Sequence, residues 1–400
     1  MSNAWKIYML AVVSFLVGTS EFIIAGILDK VAEDIGVSVA AAGQLITVFS
    51  LAYAFGTPFL MAVTARVERR KLLLYALGVF VAGNGIAVAL PGFEFLVASR
   101  VILALSTGVF VVTALTVASK LAPPDKQGSA IATLVMGFST ALIVGVPLGR
   151  VVASAYDWPI IFGGIGVLGL FAILAISFTI PRTDGEEPVP LRKQLALLKE
   201  PRIVVALSIT FFWIAGYSIA YTYISPFLLT VTGMSEKGVS AGLFAFGIAS
   251  LIGSKLGGFG TDRWGVPRTL IGGMLLHAIA LIALSLAAHS PAVVFPLLML
   301  WSFSAWSSGP TQQYYLLSLA PEASGIMLSL NSSVMQLAMA AGAGFGGVIV
   351  EQASLTSVSW LGAAGVAVAA GTAALSLGMS RSRSRTLQKL QERTLRKAGA

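Results

Sequence analysis

Residues 261–268 read TDRWGVPR, and 197 positions earlier residues 64–71 read TARVERRK. Each stretch is basic, and each lies between two long apolar runs. The same offset carries Gly145 and Gly149 onto Gly342 and Gly346. One such match is chance, whereas two at a common offset, in equivalent runs, mark a duplicated unit. Duplicated halves in a membrane chain are a signature of secondary transporters.

The composition agrees. Over 400 residues the chain is 56% hydrophobic and 11% charged, with a mean hydropathy of +0.88, against roughly 25% charged residues in a soluble domain. A helix crosses the hydrocarbon core with about 20 apolar residues. The apolar runs therefore predict an all-α integral membrane protein with twelve transmembrane helices, at about 6–28, 39–65, 72–91, 95–121, 128–154, 159–180, 203–232, 238–260, 269–289, 292–320, 325–349 and 357–379. They group as two pseudo-symmetric six-helix bundles, 1–180 and 203–379, joined by the hydrophilic linker PRTDGEEPVPLRKQLALLKEPR at 181–202 and followed by a basic tail at 380–400. The first apolar run is long enough to span, and no cleavage site precedes the second.

Basic residues set the orientation. Arg66, Arg69, Arg70 and Lys71 follow the second run, and Lys120 and Lys126 the fourth. Arg182, Arg192, Lys193, Lys199 and Arg202 follow the sixth, and Arg263 and Arg268 the eighth, whereas the odd-numbered loops offer little beyond Lys30 and Lys237. Both termini are expected on the cytoplasmic side of a bacterial plasma membrane. Topology thus accounts for the net charge of +9, and no nucleic-acid partner is expected. With no cysteine and two histidines, neither a thiol site nor a metal cluster is expected, and GIASLIGSK at 247–255 lacks the Gly-Lys-Ser/Thr ending of a phosphate loop. No cofactor is implied, no catalytic constellation stands out, and an ion gradient is the remaining source of energy.

The fifth run contains MGFSTALIVGVPLGR, 136–150, with Gly137, Gly145 and Gly149 on one side of a helix and Pro147 between them. Missing side chains let another backbone approach, and proline removes one internal hydrogen bond. These residues are expected to form a bending seam against the opposite bundle, with Gly342, Gly344 and Gly346 as the counterpart in the eleventh run. Arg150 ends the fifth run and is expected to bond backbone carbonyls or a neighbouring helix terminus.

Charges at membrane depth mark function by default. Glu21 is the only acid well inside a predicted span, at a depth similar to that of Arg100 in the fourth. The two could pair, with Glu21 carrying a proton and Arg100 tuning its release; a static pair that orients helices is the alternative. Lys255 is placed to snorkel, and His277, in MLLHAIALIAL, reads as a packed or partnered neutral imidazole.

Trp213, Tyr217 and Tyr221 recur every four residues in the seventh run, while the tenth holds Trp306, Gln312 and Gln313 and the eleventh Asn331 and Gln336. Rings that stack and amides that bond would suit a flat heterocycle. Packing or interface anchoring is the plainer explanation of the stripe.

Gly258-FGT-Asp262-Arg263-W-Gly265-VP-Arg268 resembles the loop motif of the major facilitator superfamily, and Gly145-V-Pro147-L-Gly149 the fifth-helix motif of its proton-driven exporters. Arg100 in ASRVILALSTG is similar to the fourth-helix arginine of those exporters, and GTSEF at 18–22 to a first-helix glutamate segment in a drug and sugar efflux subgroup. The run AGQLITVFSLAYAFGTPFLMAVTARVERRKLLL, with WSSGPTQQYYLLSLAP and NSSVMQ, resembles the bacterial purine base and nucleoside efflux pumps. The first-half loop departs from the superfamily pattern, since Met61, Ala65 and Glu68 stand where the second half has Gly258, Asp262 and Gly265. A conformational role carried over from the motif therefore falls on Asp262 and Arg263. The resemblance implies proton-coupled export by alternating access, with purine bases or nucleosides as cargo and protons and membrane lipid as further partners, in a monomer. A broader drug or sugar exporter is the alternative, and a channel or membrane enzyme the reading from a different class.

Overall fold

The computed structural model describes residues 3–123, 126–183, 196–320 and 323–398. Among these residues twelve helices are long and apolar enough to cross a membrane: α1 (Asn3–Gly26), α2 (Val39–Val63), α3 (Arg69–Ala89), α4 (Phe93–Leu121), α5 (Ser129–Ala155), α6 (Pro159–Thr179), α7 (Pro201–Tyr221), α8 (Glu236–Trp264), α9 (Val266–Leu286), α10 (Pro291–Leu319), α11 (Ile326–Gln352) and α12 (Ser357–Gly378). This is the all-α, twelve-span fold expected. The linker residues 184–195, including Arg192 and Lys193, lie outside the described residues, as do 399–400 of the tail.

The repeat runs deeper than the loops suggested. Ser38 caps the start of α2 by accepting a bond from the Ala41 N–H at 3.1 Å, and Ser235, at the same offset of 197, caps α8 by accepting from Gly238 at 3.1 Å. Two residues before each cap stands a glycine with positive φ, Gly36 at 72° and Gly233 at 71°. Side chains disfavour that conformation, so each glycine lets the chain turn sharply into its helix. Packing repeats as well. In the first six spans α1 lies on α5, α2 and α3 on α4, and α3 on α6; in the last six α7 lies on α11, α8 and α9 on α10, and α9 on α12. The two sets meet through α2 on α11 and α5 on α8.

Two expected helices are broken. The first run was expected to continue to 28, but α1 stops at Gly26 and a short helix, Leu28–Ile35, carries the chain on to Gly36. The seventh was expected to reach 232, yet α7 ends at Tyr221. Pro226 has no N–H for the carbonyl one turn earlier, and after it the chain widens into a π-helical turn, Phe227–Val231, closed by Thr232 N–H on Phe227 O at 3.1 Å. In α5 the residues Ala141–Gly145 are also π-helical, just before Pro147. The expected distortion is there, as a widened turn.

The glycine seam has a different partner from the one expected. A methyl group at Gly137 would strike the backbone of Ala11, at Gly145 the side chain of Thr19, and at Gly149 that of Ile23, all on α1. Gly342 and Gly346 face Ala215, Ser218, Ile219 and Tyr223, on and just beyond α7. These glycines therefore close each six-helix set on itself. Close approaches between sets come from Gly247 of α8, whose added Cβ would run into the backbone of Ile143 of α5, and from Gly43 of α2, whose added Cβ would strike the Tyr223 hydroxyl. Gly344, as expected, does face the other set: a methyl group added there would lie 3.6 Å from the Thr47 hydroxyl.

Two substitutions separate these roles. Gly342→Leu overpacks a single six-helix set and should cost about 1–3 kcal/mol, read as a lower thermal midpoint of the solubilised protein. Gly247→Leu leaves each set intact and wedges the sets apart, so transport should be lost with a smaller change in the midpoint.

Candidate functional site at the interface of the two sets

Glu21 stands five residues before the end of α1, where Gly145 and Gly18 let α5 come close. It is 5% exposed, and among the described residues it is the only buried acid. Its Oε1 accepts a hydrogen bond at 3.1 Å from Nε2 of Gln336, on α11 of the opposite set. Its Oε2 has no protein partner. A buried carboxyl oxygen without a partner is costly unless it is protonated or reached by water, so this group is chemically unsettled in this conformation.

Arg100 lies beneath it, 1% exposed. The expected side-chain pair is replaced by a grip on the main chain: Nη1 donates to Ser20 O at 2.8 Å and Nη2 to Glu21 O at 2.9 Å. A carbonyl oxygen has two lone pairs, so these carbonyls, in the last two turns of α1, can accept from the guanidinium as well as from the helix. The flat fork of arginine fits two successive carbonyls, whereas lysine offers only a point charge. The guanidinium also lies over the ring of Phe49, 4.3 Å from its centroid. Arg100 thus fixes the backbone from which the carboxyl projects. Phe49 and Tyr53 of α2, with ring centroids 6.4 Å apart, complete this side of the site; Gln44, Thr47, Ser50 and Tyr53 recur every three residues along α2, a polar spacing visible in the sequence.

The amides read as recognition groups fall in different places. Gln312 donates through Nε2 to Ala206 O at 2.7 Å and to Thr210 Oγ1 at 3.0 Å, and Thr210 donates in turn to Asn331 Oδ1 at 2.8 Å. This buried chain ties α7, α10 and α11 together. Gln312 Oε1 is left without a partner. Gln313 is exposed on α10, and Gln336 belongs with Glu21.

Trp213, Tyr217 and Tyr221 are buried. Tyr217 and Tyr221 stack with centroids 5.1 Å apart, and Tyr217 lies 5.8 Å from Trp301 and 6.3 Å from Trp306. Tyr217 and Tyr221 are part of an aromatic cluster with Phe246 and His277, and Trp213 lies one helical turn before Tyr217. His277 is partnered as expected, its Nε2 accepting from Trp301 Nε1 at 2.8 Å. Trp213 Nε1 has no partner. Asp262 and Arg263 are exposed near the end of α8, with Arg263 5.9 Å from the Phe259 ring. No group of acids and histidines able to hold a metal occurs among the described residues.

The family model described as Major Facilitator Superfamily matches residues 10–343. The chain belongs to the major facilitator superfamily. This transporter is 60% identical over 92% of its length to an uncharacterized MFS-type transporter, YbcL, of Bacillus subtilis (strain 168), of which it covers 95%. It is 30% identical to the inner membrane transport protein YdhP of Escherichia coli (strain K12), over 88% of this chain and 90% of that one. A bacterial homolog of the human lysosomal transporter Spinster, solved in an inward-facing, unoccupied conformation, superposes with a TM-score of 0.73 at 18% identity, covering 97% of this chain and 98% of the other. The protein is a multi-pass bacterial membrane transporter with a small-molecule substrate.

Arg100→Lys retains the charge and loses the fork. Charge-assisted hydrogen bonds contribute about 1.5–3 kcal/mol each, so the variant should unfold at lower temperature and transport poorly although no charge has changed. A matching midpoint and full flux would show that the grip on α1 is dispensable.

Proposed function

We propose that the protein is a proton-coupled efflux transporter that exports purine bases and nucleosides by alternating access. The observation that carries the reading is the contact between Glu21 and Gln336. The only buried acid described touches the opposite six-helix set, so a change in its protonation acts where the sets meet. In this account the ionised carboxyl holds Gln336 across the interface while cargo enters from the cytoplasm. Outward opening then exchanges cargo for an external proton, and the neutral carboxyl permits return. Arg100 keeps α1 in register throughout.

The purine assignment draws on the resemblance of 42–74, 306–321 and 331–336 to purine exporters and on the unsatisfied buried polar atoms of α7 and α10, the helices that also carry Tyr217, Tyr221 and Trp306. Trp213 Nε1 and Gln312 Oε1 are a donor and an acceptor without protein partners. A purine has an aromatic face for stacking and ring-edge groups of both kinds for bonding. Trp306, Tyr217 and Tyr221 would supply the rings, with Asn331 in a supporting position, while Gln313, exposed on α10, takes no part. Asp262, Arg263 and Pro147 serve the conformational cycle, while Gly145, Gly149, Gly342 and Gly346 keep each six-helix set a rigid body.

Reconstituted Glu21→Gln should lose proton-driven accumulation of labelled hypoxanthine by at least about tenfold and retain cargo binding, because the amide keeps the shape and cannot carry the proton. Trp213→Ala should weaken competition by purines without altering the proton dependence that remains. Undiminished gradient-driven accumulation by Glu21→Gln would remove Glu21 as the obligatory carrier.

A further inference from the structure

The end of the bundle remote from the chain termini holds a second polar junction between the sets. Arg150, at the close of α5, is fully buried. Its Nη1 donates to Gly26 O at 3.1 Å and to Asp29, both in its own six-helix set. Its Nη2 and Nε donate to Oε2 of Glu236, at the start of α8 in the other set, at 2.6 and 3.1 Å. Glu236 is also held by Lys30 at 2.8 Å and by Ser154 Oγ at 3.1 Å. Beside them Ser225, from the segment after α7, shares its hydroxyl between Ala25 O and Gly26 O at 3.0 Å each. The end of α1, broken at Gly26, is thus finished by groups from both sets.

We infer that this junction is an asymmetric latch, in which Glu236 is the releasable partner of Arg150 and Asp29 the partner that stays. The inference rests on the alternating-access reading, in which the sets separate at this end. When they do, Glu236 departs with α8 and its side chain, already 37% exposed, passes into water. Arg150 does not become an unpaired buried charge, because Asp29 and Gly26 O remain with it. In the closed state the two carboxylates share one guanidinium and repel each other, which weakens the hold of Glu236. Opening therefore replaces one ion pair by another already in place, and avoids the heavy cost of stripping a buried charge.

The sign of two substitutions follows. Glu236→Gln removes the partner that spans the sets and should favour the open state. Asp29→Asn removes the partner that stays, together with the repulsion, and should favour the closed state. Both delete one carboxylate from the same arginine, so a merely structural role would move both in one direction.

The natural chain has no cysteine, so paired labels can be introduced at the exposed positions Tyr156 and Thr230. The distance distribution between them, in lipid nanodiscs, gives the ratio of open to closed molecules. Glu236→Gln should raise that ratio roughly tenfold and Asp29→Asn lower it by a similar factor, the scale of one charge-assisted bond. Lys30→Met, which loosens Glu236 without touching Arg150, should raise it less and serves if Asp29→Asn does not fold. Shifts of Glu236→Gln and Asp29→Asn in the same direction, or an unmoved ratio in Glu236→Gln and Lys30→Met, would overturn the latch and leave the proposed function standing. A single closed distance in the parent and every variant, with or without a proton gradient, would overturn the alternation and the latch with it.

Discussion

The main-chain carbonyls of α1 are where the two six-helix sets and the chemistry of the site come together. In lipid a carbonyl released by a break in a helix must find a donor from the protein, and α1 is broken at Gly26. Arg150 and Ser225 supply donors at that break, one from each set. Further along, Arg100 takes hold of the carbonyls of Ser20 and Glu21. The glycines of α5 exist to let that helix lie against α1 at Ala11, Thr19 and Ile23. With so many neighbours fixing one helix, the Glu21 carboxyl is held against Gln336 and has little freedom to look elsewhere.

This arrangement separates rigid from movable contacts. Within a set, backbones meet at glycines and are locked by buried side chains, such as the Gln312, Thr210 and Asn331 chain or the Trp301 bond to His277. Between sets the described polar contacts are of a kind that water can replace: an amide on a carboxyl, a serine on two carbonyls, the Ser38 hydroxyl on Glu351, and a partly exposed carboxylate held by an arginine, a lysine and a serine. Rigid bodies joined by replaceable contacts are what rocking requires.

Much of this was legible in the sequence. Mean hydropathy and the 197-residue offset are properties of single residues counted over long windows, and lipid leaves few alternatives to helices for such a chain. The same offset also joins Gly36 to Gly233 and Ser38 to Ser235, a signal present in the sequence whose meaning appears only when φ and the caps are seen. Which way Gly145 and Gly149 face was not legible, because a small-residue stripe shows that something approaches and not what. Nor was the Arg100 grip, since carbonyls are carried by every residue and leave no mark in the sequence. Glu236 and Asp29 sit in short polar stretches that resemble ordinary loop charges until α5 brings Arg150 between them.

The central claim is that cargo and protons exchange through one cycle governed by Glu21. The most direct measurement uses the unsubstituted transporter in sealed proteoliposomes with no pH difference at the start, a hypoxanthine gradient as the only driving force, and a pH-sensitive dye inside. The account predicts that purine leaving the lumen draws protons in, acidifying the interior in proportion to the label that leaves, and that reversing the purine gradient reverses the pH change. Purine flux at full rate with no movement of internal pH in either direction would contradict it.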